Sequence, residues 1–139
     1  MMPARSLCAA LIAAPLLASC IGQEIPPDTT ADGNARIAQR LAGRVAGAPV
    51  DCLPHYNSGE MEVIDRDTIL FGSGRLIYRQ DANGYCYPSG RQSGYILVTN
   101  NVATGGRLCS GEIARIVDSS GGFTVGSCSF NDFVPYRRP

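Results

Sequence analysis

The sequence predicts a mainly β fold: a small antiparallel β-barrel or sandwich with one short N-terminal helix and two disulfides. Three observations predict it. From residue 61 onward, short runs rich in Val, Ile, Leu, Phe and Tyr alternate with Gly-rich turns. One segment, 32–43, is the only convincing helix by the spacing of its apolar residues. Four cysteines, Cys52, Cys86, Cys109 and Cys128, fall in the same region, the even number expected of a disulfide framework in an exported domain.

The helix is read from Ile37 and Leu41, one turn apart, with Val45 a turn further on and Ala38 and Ala42 beside that stripe. Arg36, Gln39, Arg40 and Arg44 lie off the stripe. Asp32 or Asn34 can cap the start. Gly43 and Gly47 weaken the end, and Pro49 forbids continuation. A helix this short depends on packing its one apolar stripe against something else.

The strands follow in order. Met61–Ile64 is the first, and Thr68–Phe71 follows after Asp65-Arg66-Asp67. Gly72-Ser73-Gly74 turns the chain into Arg75–Arg79. Asn83-Gly84, a strong tight-turn signal, leads into Tyr85-Cys86-Tyr87, and Pro88-Ser89-Gly90 breaks the chain again. Tyr95–Thr99 is dense in β-formers. Gly105-Gly106 precedes Arg107-Leu108-Cys109. Glu112–Asp118 has the mixed pattern of a largely buried strand. Ser119–Gly122 returns it into Phe123-Thr124-Val125, with Cys128-Ser129-Phe130 at or beyond its end. Barrel closure removes exposed edges, and the helix is expected to plug or cover one face.

Four cysteines allow three connectivities. The hairpin expected between Cys109 and Cys128 favours that pair and leaves Cys52–Cys86. Closing a loop of about 20 residues stabilises by roughly 3 kcal/mol in the chain-entropy model, a large share of the stability of a small domain.

The N-terminus has the three parts of an export signal. Met1–Ser6 carries one charge, Arg5. Leu7–Leu17 is apolar and too short to span a bilayer, and Ala18-Ser19 supplies small residues for cleavage. The sequence Leu17-Ala18-Ser19-Cys20 resembles the lipobox of bacterial lipoproteins. That resemblance implies cleavage before Cys20 and a diacylglyceryl thioether on its sulfur, usually with an added N-acyl (palmitate-type) chain. Several acyl chains make a durable anchor where one does not. Ile21 stands where the sorting rule of diderm bacteria puts Asp for inner-membrane retention, so the resemblance implies the outer membrane, facing the periplasm. The expected organisation is a signal peptide over 1–19, a lipidated tether over 20–31, marked by Pro26-Pro27, and a disulfide-stapled β domain over 32–139. Cys8 is expected to be lost with the leader.

Composition narrows the rest. The 139 residues carry 12 basic and 12 acidic groups, and nothing suggests a nucleic-acid partner. Every basic residue is Arg, so no lysine is present to form a Schiff base. Trp is absent as well, which removes the strongest sugar-stacking residue.

Further pieces are similar to a family of small proteobacterial envelope proteins. They are Asp51-Cys52-Leu53, Asp65–Phe71, the strand Arg75–Arg79, a lone Cys86, Leu108–Ile113, and Cys128 just before Phe130. The similarity covers roughly 45–135 and is mostly structural; it implies an envelope protein and transfers no catalytic residue. Around Cys86 this chain (NGYCYPSGRQSG) departs from the family's usual segment.

Each chemistry-bearing residue also has a structural role open to it. His55, the only histidine, sits three residues after Cys52, but no CxxC knuckle accompanies it, so neither a metal site nor a nucleophile is expected. No cofactor is expected. Glu60, Glu62, Asp65 and Asp67 cluster near a turn; two carboxylates of such a set can cleave glycosides, although a solvated strand face is the expected role. Tyr78, Tyr85, Tyr87 and Tyr95 are the expected binding surface if there is one, as a stacking platform for glycan or peptide.

The sequence is therefore expected to encode a membrane-anchored periplasmic lipoprotein with a non-enzymatic binding or structural role. Its partners would be the membrane through Cys20 and an envelope protein or glycan. One alternative is an inhibitor of a cell-wall lytic enzyme, similar to the small disulfide-bonded β-barrel lipoproteins that block lysozyme. Arg75, Arg91 and Arg107 would then be the loop cations presented to catalytic acids. A second alternative is a carbohydrate hydrolase using the Glu60–Asp67 acidic cluster.

Overall fold

The computed structural model describes residues 31–54, 60–87, 93–100 and 104–139. One helix, α1 (Ala31–Leu41), precedes eight strands: β1 (Val45–Ala46), β2 (Met61–Val63), β3 (Thr68–Phe71), β4 (Leu76–Asp81), β5 (Tyr95–Thr99), β6 (Ile113–Asp118), β7 (Thr124–Ser129) and β8 (Val134–Arg137). They form two antiparallel sheets, in the orders β1-β8-β4-β3-β2 and β5-β6-β7. The barrel alternative is thus corrected: the sheets stay separate and share a core.

Strand register explains which side chains meet. Met61 lies opposite Phe71, and Val63 opposite Ile69; Ile69 is in turn opposite Gln80, and Phe71 opposite Tyr78. Because successive side chains alternate across a strand, this set shares one face of the five-stranded sheet. Val63, Ile69 and Phe71 pack there with Ala114 and Ile116 of the three-stranded sheet and with Leu53, Leu108, Phe130 and Phe133. Phe133 holds the centre, edge-on to Phe71 with ring centroids 5.9 Å apart and tilted against Phe130 at the same distance. Gln80, fully buried on this face, donates from Nε2 to the Asn131 carbonyl (2.7 Å) and accepts from the Asn131 N–H (3.1 Å). A buried amide satisfied on both sides avoids the desolvation cost of an unpaired one.

The opposite face of the same sheet carries Leu70 and Ile77. They pack with Ile64 and with Ile37 of α1, and Leu41 closes the cluster. The helix therefore covers the outside of this sheet, one of the two roles expected of it. Arg36 and Arg40 on α1 both reach Glu62 (3.1 and 2.6 Å), and Arg36 also donates to the Val63 and Ile64 carbonyls. With both faces covered, every residue of β3 is buried.

The disulfides are Cys52–Cys109 and Cys86–Cys128, which corrects the expected Cys109–Cys128 and Cys52–Cys86. Register is the reason. The β6–β7 hairpin sets Cys128 opposite Ala114 and Ser129 opposite Ile113, so Cys109 lies beyond its paired region. Cys109 instead bridges to Cys52 as an antiparallel pair, with the Leu53 N–H bonded to the Leu108 carbonyl. The closed loops, 57 and 42 residues apart in sequence, are longer than the one expected, and each is worth about 4 kcal/mol in the chain-entropy model.

Other expectations shift as well. Tyr85-Cys86-Tyr87 is not a strand; its neighbour Asn83 makes a single bridge to Ser129. The Glu112–Asp118 segment is a half-exposed strand rather than a largely buried one: Ile113 and Arg115 are exposed while Ala114 and Ile116 are buried. β8 was hidden by Pro135. Pro135 accepts from Gly47 N–H across the β1 side. In an antiparallel strand a residue's N and O point the same way, so the missing N–H also faces β1, which is only two residues long, and the ladder to β4 is intact.

Candidate functional site

A concave site of about 400 Å³ opens beside the β3–β4 hairpin, lined by Pro54, Glu60, Phe71, Gly72, Ser73, Leu76 and Tyr78. The hairpin turn builds it. Gly72 takes a φ of +94°, and a Cβ there would meet the Leu76 carbonyl at 2.9 Å, so only glycine fits without strain. Its N–H donates to the Glu60 carbonyl (2.8 Å), tying the turn to the start of β2. The Ser73 hydroxyl donates to Glu60 Oε1 (2.8 Å). The result is a groove with an apolar floor from Phe71 and Leu76, a phenol from Tyr78, and a carboxylate–hydroxyl pair at the rim. Such a mixture suits recognition of a partly apolar, hydrogen-bonding group.

Cations gather at the same hairpin. Arg75 is exposed at its tip; Arg44 donates from Nη2 to the Gly74 carbonyl (2.7 Å) and from Nε to the Arg40 carbonyl (3.1 Å). The Arg138 N–H donates to the Arg75 carbonyl (3.0 Å). Loss of hydration lowers the Arg44 guanidinium from its ordinary pKa, and the nearby charges of Arg138 and Arg40 push the same way. Guanidinium stays charged at any physiological pH, so this end of the molecule is positive.

The expected tyrosine platform does not assemble. Tyr78 lines the groove and packs on the core. Tyr85 lies under the Arg66 guanidinium, 4.6 Å from the ring centre. Tyr87 is fully buried in the core, which corrects its place in a binding surface, and Tyr95 packs against the core from β5. The reason is that residues 85–87 do not form the strand that would have set two of these rings side by side.

The acidic cluster is dispersed too. Glu62 is held by Arg36 and Arg40 under the helix rather than facing solvent alone. Buried Asp65 folds the turn after β2, its Oδ1 accepting from the Thr68 N–H (2.9 Å) and the Asp67 N–H (3.3 Å). Asp67 and Asp81 both accept from the Thr68 hydroxyl. Glu60 is the one member of the set that lines the groove. Among the described residues no group of three or more His, Cys, Asp or Glu is placed to hold a metal, and no helix is long and apolar enough to cross a membrane. Cys20, His55 and Arg91 lie outside the described residues.

The Glu60–Ser73 pair was not foreseen; the Gly72-x-Gly74 spelling marks the turn but not what it brings together. The outer surface of the three-stranded sheet was missed as well. Of the five large exposed hydrophobics among the described residues, Ile96, Ile113, Phe123 and Val125 belong to that sheet and its connecting turn. No family model, curated protein or solved structure matches this chain.

Proposed function

We propose that this protein is a bacterial envelope lipoprotein, held by lipid on Cys20 at the periplasmic face of the outer membrane, with a non-enzymatic binding or structural role. The observation that carries the reading is Leu17-Ala18-Ser19-Cys20 at the end of an export signal, ahead of a domain stapled by two disulfides. Two disulfides in a small domain fit an oxidising compartment outside the cytoplasm. The groove beside the β3–β4 hairpin, with Tyr78, Ser73 and Glu60 at its wall, is the binding site of this reading, for a glycan or peptide of the envelope.

The test is metabolic labelling with an alkyne fatty acid in a lipoprotein-processing diderm bacterium. The wild-type chain takes up label and Cys20→Ser does not. Equal labelling of both, or of neither, contradicts the proposal. A photo-crosslinking residue in place of Ser73 then reports what occupies the groove.

A second reading, inhibition of a cell-wall lytic enzyme, is favoured by one feature. Arg75 stands exposed at the hairpin tip bordering the groove, with Arg44 and Arg138 bonded to the same turn. A cationic tip of this kind is complementary to paired catalytic carboxylates. Absence of lysozyme inhibition at micromolar protein removes this reading and leaves the first untouched.

A further inference from the structure

The outer face of the three-stranded sheet has an unusual composition for a surface. The pairing sets Ile96 opposite Val117, and Val98 opposite Arg115, which itself lies opposite Ser127. Alternation along β6 turns Ile113, Arg115 and Val117 outward while Ala114 and Ile116 enter the core. Ile113 is 67% exposed and Ile96 53%. At one end the turn after β6 presents Phe123, 73% exposed, and an irregularity at Ile116/Val117 leaves Val125 as an extra residue that is also exposed. From Ser119 to Asn131 the chain carries no charge at all. Among the outward residues of the three strands, Arg115 is the only charged one.

We infer that this face rests on a lipid bilayer, with Phe123, Ile113 and Ile96 in the interfacial layer and Arg115 meeting anionic headgroup phosphate. Three considerations select lipid over other occupants. The large exposed side chains of this face are apolar, Arg115 is its one outward charge, and Thr124, Ser127 and Ser129 along β7 are uncharged, while the acid nearest Phe123, Asp118, is on the inward side of β6 and bonded within its own turn; apolar side chains with an outward cation suit a membrane interface. A second copy packed face to face would find no outward carboxylate on the three strands to pair with Arg115. The proposal also rests on the anchored reading for the presence of a bilayer nearby. The eleven residues from Cys20 to Thr30 span at most about 40 Å when extended. α1 covers the far side of the five-stranded sheet, so reaching the three-stranded sheet means passing about one helix diameter and one sheet spacing, roughly 20 Å together; the extended tether is about twice that, so the anchor leaves either sheet free to reach the membrane. The groove has no lining residue from the three-stranded sheet, and it stays open when this face is covered.

The chain has no Trp, so Phe123→Trp supplies a single reporter. The experiment uses the mature chain with Cys20→Ser and Phe123→Trp, mixed with vesicles of phosphatidylethanolamine and phosphatidylglycerol. With no acyl chain present, its result stands whichever way the labelling of Cys20 falls. The expected result is a blue shift of Trp emission and quenching by lipids brominated in their acyl chains. Adding Ile113→Asp, at a site 67% exposed, is expected to raise the lipid concentration for half-binding about tenfold, with an unchanged far-UV circular dichroism spectrum. Arg115→Gln is expected to remove the preference for anionic over phosphatidylcholine vesicles. Emission unchanged at saturating lipid overturns the inference. So does a blue shift that appears without lipid and tracks dimer formation in sedimentation, which would assign the face to a second copy.

Discussion

The two sheets of this molecule are built from similar residues and treated in opposite ways. The five-stranded sheet is covered on both faces, by the shared core on one side and by α1 on the other. Its strand β3, one place in from the β2 edge, consequently reads as a continuous apolar run after Thr68, and every residue in it is buried. Among the described residues the three-stranded sheet is covered on one face alone. Its central strand β6 alternates exposed and buried over its first four residues, and the two exposed positions are Ile113 and Arg115, so one of them is a large apolar side chain. Apolar content by itself therefore does not say which sheet is sheathed. What distinguishes them is the partner: Ile37 and Leu41 of the helix pack over Leu70 and Ile77, and no described element does the same for Ile96 and Ile113.

The comparison predicts a graded response to substitution. Removing the tie between the sheets has the largest effect. Cys86→Ala with Cys128→Ala is expected to lower unfolding stability by about 4 kcal/mol in urea, given the 42-residue separation of the pair. Leu70→Ala, beneath the helix, is expected to cost about 3 kcal/mol by the same measurement. It should also speed hydrogen exchange in α1, since the helix depends on that contact. A loss below about 1 kcal/mol would mean that the helix does not sheath the sheet.

Smaller effects sharpen the contrast. Glu62→Gln loosens the two arginine contacts and is expected to cost under about 1 kcal/mol, because both pairs are partly exposed and screened. Ile113→Thr on the bare face is expected to change stability by no more than about 0.5 kcal/mol. The same substitution under α1, Ile77→Thr, should cost several times more.

The smallest effect concerns acid. The Ser120 hydroxyl, then the Gly121 and Ser120 backbone N–H groups, hold the Asp118 carboxyl below its usual range. A depressed folded-state pKa gives stability that is present above the unfolded value and lost as pH falls through the lowered one. The Ser119–Phe123 turn is therefore expected to keep its amide NMR shifts across neutral and mildly acidic pH and to change below the ordinary carboxylate range. Asp118→Asn should abolish that titration.

Much of this architecture was legible in the sequence because it rests on local signals. The Ile37/Leu41 spacing and Gly43 mark the helix to within two residues of its observed bounds. Strands β3 and β5 coincide with their β-former runs. What escaped was non-local or contrary to local rules. Pro135 argues against a strand, and β8 exists because its missing N–H faces the two-residue edge strand β1 and not β4. The disulfide pairing depends on the register of β6 against β7, which no cysteine spacing encodes. The tyrosines illustrate the same limit: Tyr85 and Tyr87 alternate as strand residues do, but Cys86 is drawn to Cys128 and Tyr87 enters the core with it. The groove depends on Glu60 meeting Ser73 across the β2–β3–β4 meander, a contact that neither the acidic cluster nor the Gly-Ser-Gly spelling announces.

Hydroxyl-radical footprinting of the mature chain with Cys20→Ser, in the absence of lipid, tests the contrast between the sheets most directly. The expected pattern is heavy modification at Phe123, Ile113 and Ile96, with protection of Leu70, Ile77 and Ile69. Equal protection of the two groups, or ready modification of Leu70 and Ile77, would contradict an account in which one sheet is enclosed and the other is open.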